Sequence, residues 1–179
     1  MTLAVQNQVR TVLVAIGSNQ GERERYIRAA LLELFLLKNI SDLSCSSIYE
    51  TPPYLAEGDS YFNVVCTFES DVPADFLLHR LLEIESRWGR VRVQNLLNQP
   101  RTLDLDLLWI AGESMTSDFL TIPHPRMRGR SFVRYPIQEL GFNSLVFGES
   151  SADDLVLSEP QDIKKRSDLN GFIEEWRCE

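Results

Sequence analysis

Arg101-Thr102-Leu103-Asp104-Leu105-Asp106-Leu107-Leu108 alternates leucine with a polar or acidic residue from position 102 to 107. A period of two belongs to a strand with one face on a core, so Leu103, Leu105 and Leu107 share one side and Asp104 and Asp106 the other. The pattern predicts a strand over 103–110. It also poses the central question of the chain, because two carboxylates on one strand face repel each other unless a cation or solvent separates them. For an isolated D-x-D, a solvated face is the bland explanation.

Working outward, the segment before this strand is polar from Arg90 to Arg101 and is preceded by a helical pattern over 73–88, with Leu77, Leu78, Leu81, Ile84 and Trp88 on one stripe. Pro73 suits the first turn of that helix and Gly89 its stop. Further back, 61–69 reads as a strand with Phe62, Val64, Cys66 and Phe68 on one side, and 43–49 as another with Leu43, Cys45, Ser47 and Tyr49 alternating. Thr51-Pro52-Pro53 interrupts the latter, since proline donates nothing to a ladder. An amphipathic helix is expected over 22–38, and Thr11-Val-Leu-Val-Ala-Ile16 is a strand that turns at Gly17-Ser18-Asn19. Strand, helix, strand, strand, helix, strand is the order of a ferredoxin-like α+β sandwich, βαββαβ, with a mostly antiparallel sheet covered by two helices.

Residues 1–10 form an N-terminal extension, 11–148 a single domain holding a Pro-anchored loop and short helix over 121–140, and 149–179 an acidic tail. The tail carries four basic and nine acidic residues, and Phe172 and Trp176 are its candidate docking side chains. Whether it docks stays open. With 179 residues, 44% hydrophobic and 25% charged, the composition is that of a soluble globular protein. Apolar runs such as 12–16 fall far short of the roughly 20 residues a bilayer requires. Three cysteines without close spacing, two histidines and no C-x-x-C or H-x-x-x-H argue against a disulfide framework and a zinc site. The start has no basic segment followed by a cleavable apolar run, so a cytoplasmic location is expected.

Net charge is −8, which argues against a general nucleic-acid binder. A ferredoxin-like RNA binder also lacks its aromatic run here. Between Arg80 and Arg134, however, stand nine arginines, no lysine and six acids. Guanidinium groups match phosphate oxygens two at a time, so this segment suits a polyphosphate. Beside it, the hard oxygens of Asp104 and Asp106 suit Mg²⁺ on a nucleotide. Arg90 and Arg92 either cap the preceding helix or belong to a cationic loop that closes on phosphates. Ile122-Pro123-His124-Pro125 holds one histidine on a rigid loop, followed by Arg126, Arg128 and Arg130; His79 reads as structural. Tyr61 and Asn63 share a strand face, and an aromatic ring beside an amide can stack and hydrogen-bond a flat heterocycle.

Together these pieces resemble the 6-hydroxymethyl-7,8-dihydropterin pyrophosphokinase family. The resemblance runs from about Thr11 to Phe147 through Ala15-Ile-Gly-Ser-Asn19, Tyr49-Glu-Thr-Pro-Pro53, Tyr61-Phe-Asn63, Ile84-Glu85 with Gly89-Arg-Val-Arg92, Pro100-Arg101 through Asp106, and Ile122-Pro-His-Pro125 with Arg130 and Phe132. It implies transfer of the β,γ-pyrophosphoryl group of ATP to the pterin hydroxymethyl oxygen, with release of AMP, in folate biosynthesis. It implies that Asp104 and Asp106 hold two Mg²⁺ ions and that Arg90 and Arg101 neutralise charge at the attacked phosphorus. Glu85, Arg92, Thr121, His124 and Arg130 would serve the ATP site. The pterin would lie between Tyr61 and Phe132, its polar edge read by Asn63 and the backbone around Thr51, Pro52 and Tyr54. ATP and the pterin are then the partners of a monomer that binds neither nucleic acid nor membrane. The chain departs from the family at Leu97-Asn98-Gln99, where a basic residue and a Gly or Ala are usual. That departure, with the acidic tail, keeps an alternative: a catalytically weak or inactive protein that binds pterin or nucleotide, or serves as an interaction module.

Overall fold

A computed structural model describes residues 8–53, 58–90, 100–148 and 162–172. The chain order is β1 (Arg10–Ser18), α1 (Arg23–Phe35), β2 (Ile40–Cys45), β3 (Tyr49–Thr51), β4 (Tyr61–Ser70), α2 (Ala74–Arg87), β5 (Asp104–Ile110), the two-residue strands β6 (Met115–Thr116) and β7 (Thr121–Ile122), α3 (Ser131–Glu139), α4 (Asn143–Phe147) and β8 (Lys164–Lys165). The sheet runs β5-β1-β4-β3-β8, with β2 also paired to β4, and every pairing is antiparallel. This is the expected ferredoxin-like α+β arrangement.

One sheet face carries the larger core. Val12, Val14 and Ile16 of β1, Phe62, Val64, Cys66 and Phe68 of β4, and Leu105 and Leu107 of β5 meet Ile27, Leu31 and Leu34 of α1 and Leu77, Leu81 and Ile84 of α2. The alternation of β4 and β5 therefore faces the way their sequences require. The opposite face holds a second core, in which Leu13, Val65, Leu108 and Trp109 pack against Val133 and Ile137 of α3 and Val146 and Phe147 of α4. A register shift between Leu13 and Val14, opposite Leu107 to Trp109, lets Leu108 and Trp109 join this second core together.

Three local expectations change. The α1 helix ends at Phe35, before the predicted Lys38, since the chain reverses at Asn39 with φ 70°, a left-handed conformation that asparagine tolerates. Leu37 still packs on the core, but from this turn, which is why the helical pattern overran. The single strand over 43–49 is two. Asp42 at φ 53° bulges β2, and Ser46 then substitutes its side chain in the ladder, Val65 N–H donating to Ser46 Oγ at 3.1 Å while Ser46 N–H donates to Val65 O at 2.9 Å. And the cysteines, without a close spacing in sequence, are brought together. Cys45 and Cys66 are register partners across β2 and β4, both buried thiols, with burial pushing Cys66 well above the ordinary value.

The tail is docked where it is described. Lys164 and Lys165 pair with Glu50 and Tyr49 of β3, and Leu169 packs on the first core. The Phe172 side chain and Trp176 lie outside the described residues.

Glu139, at the end of α3, fastens that helix to the sheet. Its carboxylate accepts from Ser47 N–H at 3.1 Å, Ser47 Oγ at 2.7 Å, Tyr49 OH at 3.0 Å and Lys165 Nζ at 3.0 Å. Burial alone would raise its pKa, yet these donors, Ser47 first, hold it below the ordinary glutamate value. Glu139→Gln is therefore expected to cost roughly 2–4 kcal/mol at neutral pH, measured by urea unfolding. Because the folded pKa is depressed, this contribution is complete above the unfolded glutamate value and is lost as pH falls through the folded one. Wild type and variant should converge in acid, and a difference that persists there would refute the charge-based account.

Candidate active site

The site grows out of strand register. In β1, Gly17 lies between Asn63 of β4 and Asp104 of β5, and Ala15 lies between Val65 and Asp106. Small residues on the central strand leave a depression where the second core would otherwise continue. A Cβ at Gly17 would stand 3.4 Å from Asn63 Oδ1 and 3.9 Å from Asp104 Cβ, at ordinary contact distance from both neighbours. The start of α3 closes one side with Arg130, Ser131 and Phe132, while Thr51, Pro52 and Tyr61 close another. The result is a concave cleft with polar and apolar walls, the form that small-molecule sites take.

One wall is ionic. Arg90 and Arg101 both pair with Asp104, and Arg90 also pairs with Glu85. Glu85, 1% exposed, accepts Leu105 N–H at 2.7 Å, so it ties Arg90 to the backbone of the strand that bears the carboxylates. Arg101 is held through its own backbone: its N–H donates to Asn19 Oδ1 at 2.8 Å, and its carbonyl accepts Asn19 N–H at 3.1 Å. Burial works against the Arg101 charge, but Asp104, Tyr61 and Asp106 together outweigh it and raise the pKa, keeping the guanidinium protonated.

Asp106 has thinner compensation. Arg130 Nη1 stands 3.6 Å from Asp106 Oδ2. Burial and then the adjacent Asp104 raise the Asp106 pKa, against the pull of His124, Arg130 and Arg126. His124 is lowered by burial, with Arg130 and Arg126 adding to the effect and Asp106 opposing it, which favours neutral imidazole. Its backbone N–H donates to Leu108 O at 2.8 Å, fixing the loop beside β5. Two crowded carboxylates with incomplete compensation form a hard-oxygen donor set. Among the described residues no group of three or more His, Cys, Asp and Glu gathers to make a protein cage. The set therefore fits a divalent cation that draws its other ligands from phosphate and water.

The other wall is aromatic and amide-bearing. Tyr61 and Phe132 both line the cleft, and the Arg130 guanidinium stands 5.3 Å from the Phe132 ring centre. Burial raises the Tyr61 phenol above its ordinary value, so it stays protonated. Asn63 is nine-tenths buried and donates through Nδ2 to Thr51 Oγ1 at 3.0 Å and Tyr49 O at 3.3 Å. Those bonds fix the amide orientation and leave Oδ1 on the Gly17 side.

The cleft thus brings together Thr51, Pro52, Tyr61, Asn63, Arg101, Asp104, Asp106, Arg130 and Phe132 from the sequence-derived set. Arg90 reaches it through Asp104. Glu85 is buried behind Arg90 and does not line it, and Thr121, in the β6–β7 hairpin, lies off its lining as well. Tyr54, Arg92 and Leu97 to Gln99 lie outside the described residues. Asn19 went unrecognised as a site residue, because Gly17-Ser18-Asn19 reads as an ordinary turn. Its 2% exposure is the mark of a polar side chain with a fixed task.

The 7,8-dihydro-6-hydroxymethylpterin-pyrophosphokinase (HPPK) family matches residues 13–141. The chain is 37% identical over 128 residues to the 2-amino-4-hydroxy-6-hydroxymethyldihydropteridine pyrophosphokinase of Bacillus subtilis, covering 71% of this chain and 75% of that protein. It is 35% identical over 130 residues to the folic acid synthesis protein fol1 of Pneumocystis carinii, where the match takes in 72% of this chain and 17% of that longer protein. A crystal structure of a triple mutant of Plasmodium falciparum HPPK-DHPS shares the fold, with a TM-score of 0.60 at 11% identity over 91% of this chain and 48% of that one.

The Asn19 clamp makes a direct prediction. Asn19→Ala removes the acceptor of Arg101 N–H, and hydrogen exchange at that amide is expected to quicken about five- to tenfold, the loss of one hydrogen bond. Unchanged protection would show that Arg101 is held by other means.

Proposed function

The chain belongs to the 7,8-dihydro-6-hydroxymethylpterin-pyrophosphokinase family, and on that premise we propose how its cleft moves a pyrophosphoryl group from ATP to the hydroxymethyl oxygen of 6-hydroxymethyl-7,8-dihydropterin. The observation that carries the reading is the meeting, in one cleft, of a paired carboxylate wall set among arginines with an aromatic wall bearing a fixed amide. The first suits a triphosphate, the second a flat polar heterocycle.

The pterin ring stacks between Tyr61 and Phe132, and Asn63 with the backbone at Thr51 and Pro52 reads its edge. Tyr54 is assigned to the same edge by family likeness. The triphosphate lies along Asp104, Asp106, Arg101 and Arg130, with His124 and Thr121 on the nucleotide side and Arg92 assigned to the same site by family likeness. The hydroxymethyl oxygen attacks the β-phosphorus in line, the bond from that phosphorus to the α–β bridging oxygen breaks, AMP leaves with the electron pair, and the hydroxyl proton passes to water. Such a transfer needs positioning and charge neutralisation more than covalent help from the protein. Arg90 and Arg101 meet the negative charge that accumulates at the β-phosphoryl oxygens. Glu85 acts at one remove, by aiming Arg90. Asp104 and Asp106 would hold two Mg²⁺ ions, which when bound neutralise and polarise the phosphate oxygens.

The reading places the chain in a reducing compartment such as the cytoplasm, to which the buried, facing thiols of Cys45 and Cys66 are suited. No helix among the described residues is long and apolar enough to cross a membrane.

The deciding experiment measures AMP release from ATP and Mg²⁺ with and without the pterin. Pterin-dependent AMP that disappears with EDTA is expected; binding without AMP would instead point to an inactive relative. Asp104→Ala and Asp106→Ala should each lower turnover about a thousandfold or more with an unchanged circular dichroism spectrum. Turnover within tenfold of wild type in both would overturn the metal assignment. Tyr61→Ala and Phe132→Ala should weaken pterin binding about tenfold or more by calorimetry and leave ATP binding within about twofold. Equal losses for both ligands would contradict the stacking role.

A further inference from the structure

The docked part of the tail lies beyond residues 13–141, where the family match ends, and the mechanism above gives it no task. Its contacts are nonetheless aimed at one part of the cleft. Lys164 and Lys165 pair with β3, and Arg166 N–H donates to Ile48 O at 2.8 Å, extending the attachment. Asp168 accepts from Arg166 Nε at 2.9 Å and Nη2 at 2.8 Å, which orients the guanidinium and leaves Nη1 to donate to Glu50 Oε2 at 2.6 Å.

Glu50 is the junction. Its other carboxylate oxygen accepts Ser60 Oγ at 2.5 Å and lies 3.5 Å from Arg23 Nη1, which itself donates to Ser60 O at 2.7 Å. The residue after Glu50 is Thr51, bonded to Asn63, and the residue after Ser60 is Tyr61. A single carboxylate thus spans the two strands whose next residues form the aromatic and amide wall. Both members of the Arg166–Glu50 pair are only about a fifth exposed, with side chains 21% and 22% accessible. The Ser60 hydroxyl and then Arg166 hold the Glu50 pKa below its ordinary value, so the pair stays ionised. The β5 carboxylates are remote from this junction, at the opposite edge of the sheet order β8-β3-β4-β1-β5, and the two walls meet where Arg101 hydrogen-bonds Tyr61.

We infer that Arg166 is a positioning residue for pterin recognition: it docks the C-terminal segment as an edge strand and, through Glu50, sets the spacing between Thr51 and Tyr61 without touching either substrate. The inference rests on the pterin reading of that wall. It is directional, because loosening the junction alters the pterin side and leaves the triphosphate side in place.

The test uses the full chain with Arg166→Ala and Arg166→Lys, measuring KM for ATP and for 6-hydroxymethyl-7,8-dihydropterin, kcat and the thermal midpoint. Arg166→Ala is expected to raise the pterin KM about tenfold, the loss of one charge-assisted hydrogen bond, with the ATP KM within about twofold. Lysine, which keeps the charge and one donor, should recover most of the difference. Equal changes in both KM values, or none, would overturn the inference and reduce the segment to a structural anchor. Hydrogen exchange on the wild type provides a second arm that needs no variant. By reciprocity, saturating pterin should slow exchange at the amides of Lys165 and Arg166, and an ATP analogue should not. No difference between the ligands would again overturn it. A wild type that takes no pterin would remove the reading of the wall itself, an outcome plainly distinct from a wild type that takes pterin indifferently to Arg166.

Discussion

One strand has to satisfy two environments at once, and the rest of the molecule is arranged around that demand. The β5 side chains alternate between a leucine row driven into the core and a carboxylate row left on the other face. Burial of the leucines decides which face the carboxylates occupy, since a slip of one residue would drive Asp104 and Asp106 into the core. Pairing with β1 then places the carboxylates over Gly17 and Ala15, the smallest residues that strand presents on that face. The cleft is the space those two residues leave open.

Carboxylates two residues apart on a strand face are roughly 7 Å from one another, a repulsion of roughly 2 kcal/mol at the effective dielectric of a partly exposed site. A guanidinium in contact with one of them gains more than that, about 4 kcal/mol before desolvation. The arginines therefore win, but unevenly. Asp104 has Arg90 and Arg101 in contact, whereas Asp106 has Arg130 at 3.6 Å and a raised pKa that registers the shortfall. Glu85 and Asn19 keep the two stronger cations from drifting, each using a buried bond to backbone. Compensation is thus thinnest at Asp106, on the side of His124 and Arg130.

What could be read from the sequence was whatever depends on periodicity and residue type. The alternation of 103–107, the stripe of α2 and the strand at 61–69 each announce their buried face, and the order of elements announces the sheet. The carboxylates and most arginines were legible for the same reason, being charged residues at positions where a strand or loop must hold them together. The β2–β3 break was not legible, because it depends on Ser46 replacing a backbone partner in the ladder, and serine carries no apolar signal. The facing of Cys45 and Cys66 was hidden too, since register across β4 is a property of two distant segments. Asn19 was visible only as a turn residue, its acceptor role being set by Arg101, 82 positions away in the chain.

The tail shows how net charge misleads when a segment's own distribution is uneven. Its balance is acidic, yet the part that docks is Lys164-Lys165-Arg166, and its partners are Glu139 and Glu50. The need for it lies in β3. That strand has only three residues, shares the side of β4 with β2, and would otherwise stand as a bare sheet edge. An exposed edge invites pairing with another chain, and so short a strand has little ladder of its own to resist displacement. Covering it with a basic strand supplies partners for the edge and for two carboxylates in the same step. Since β3 ends in Thr51 and leads directly into Pro52, protecting that edge and shaping the aromatic and amide wall are the same structural act.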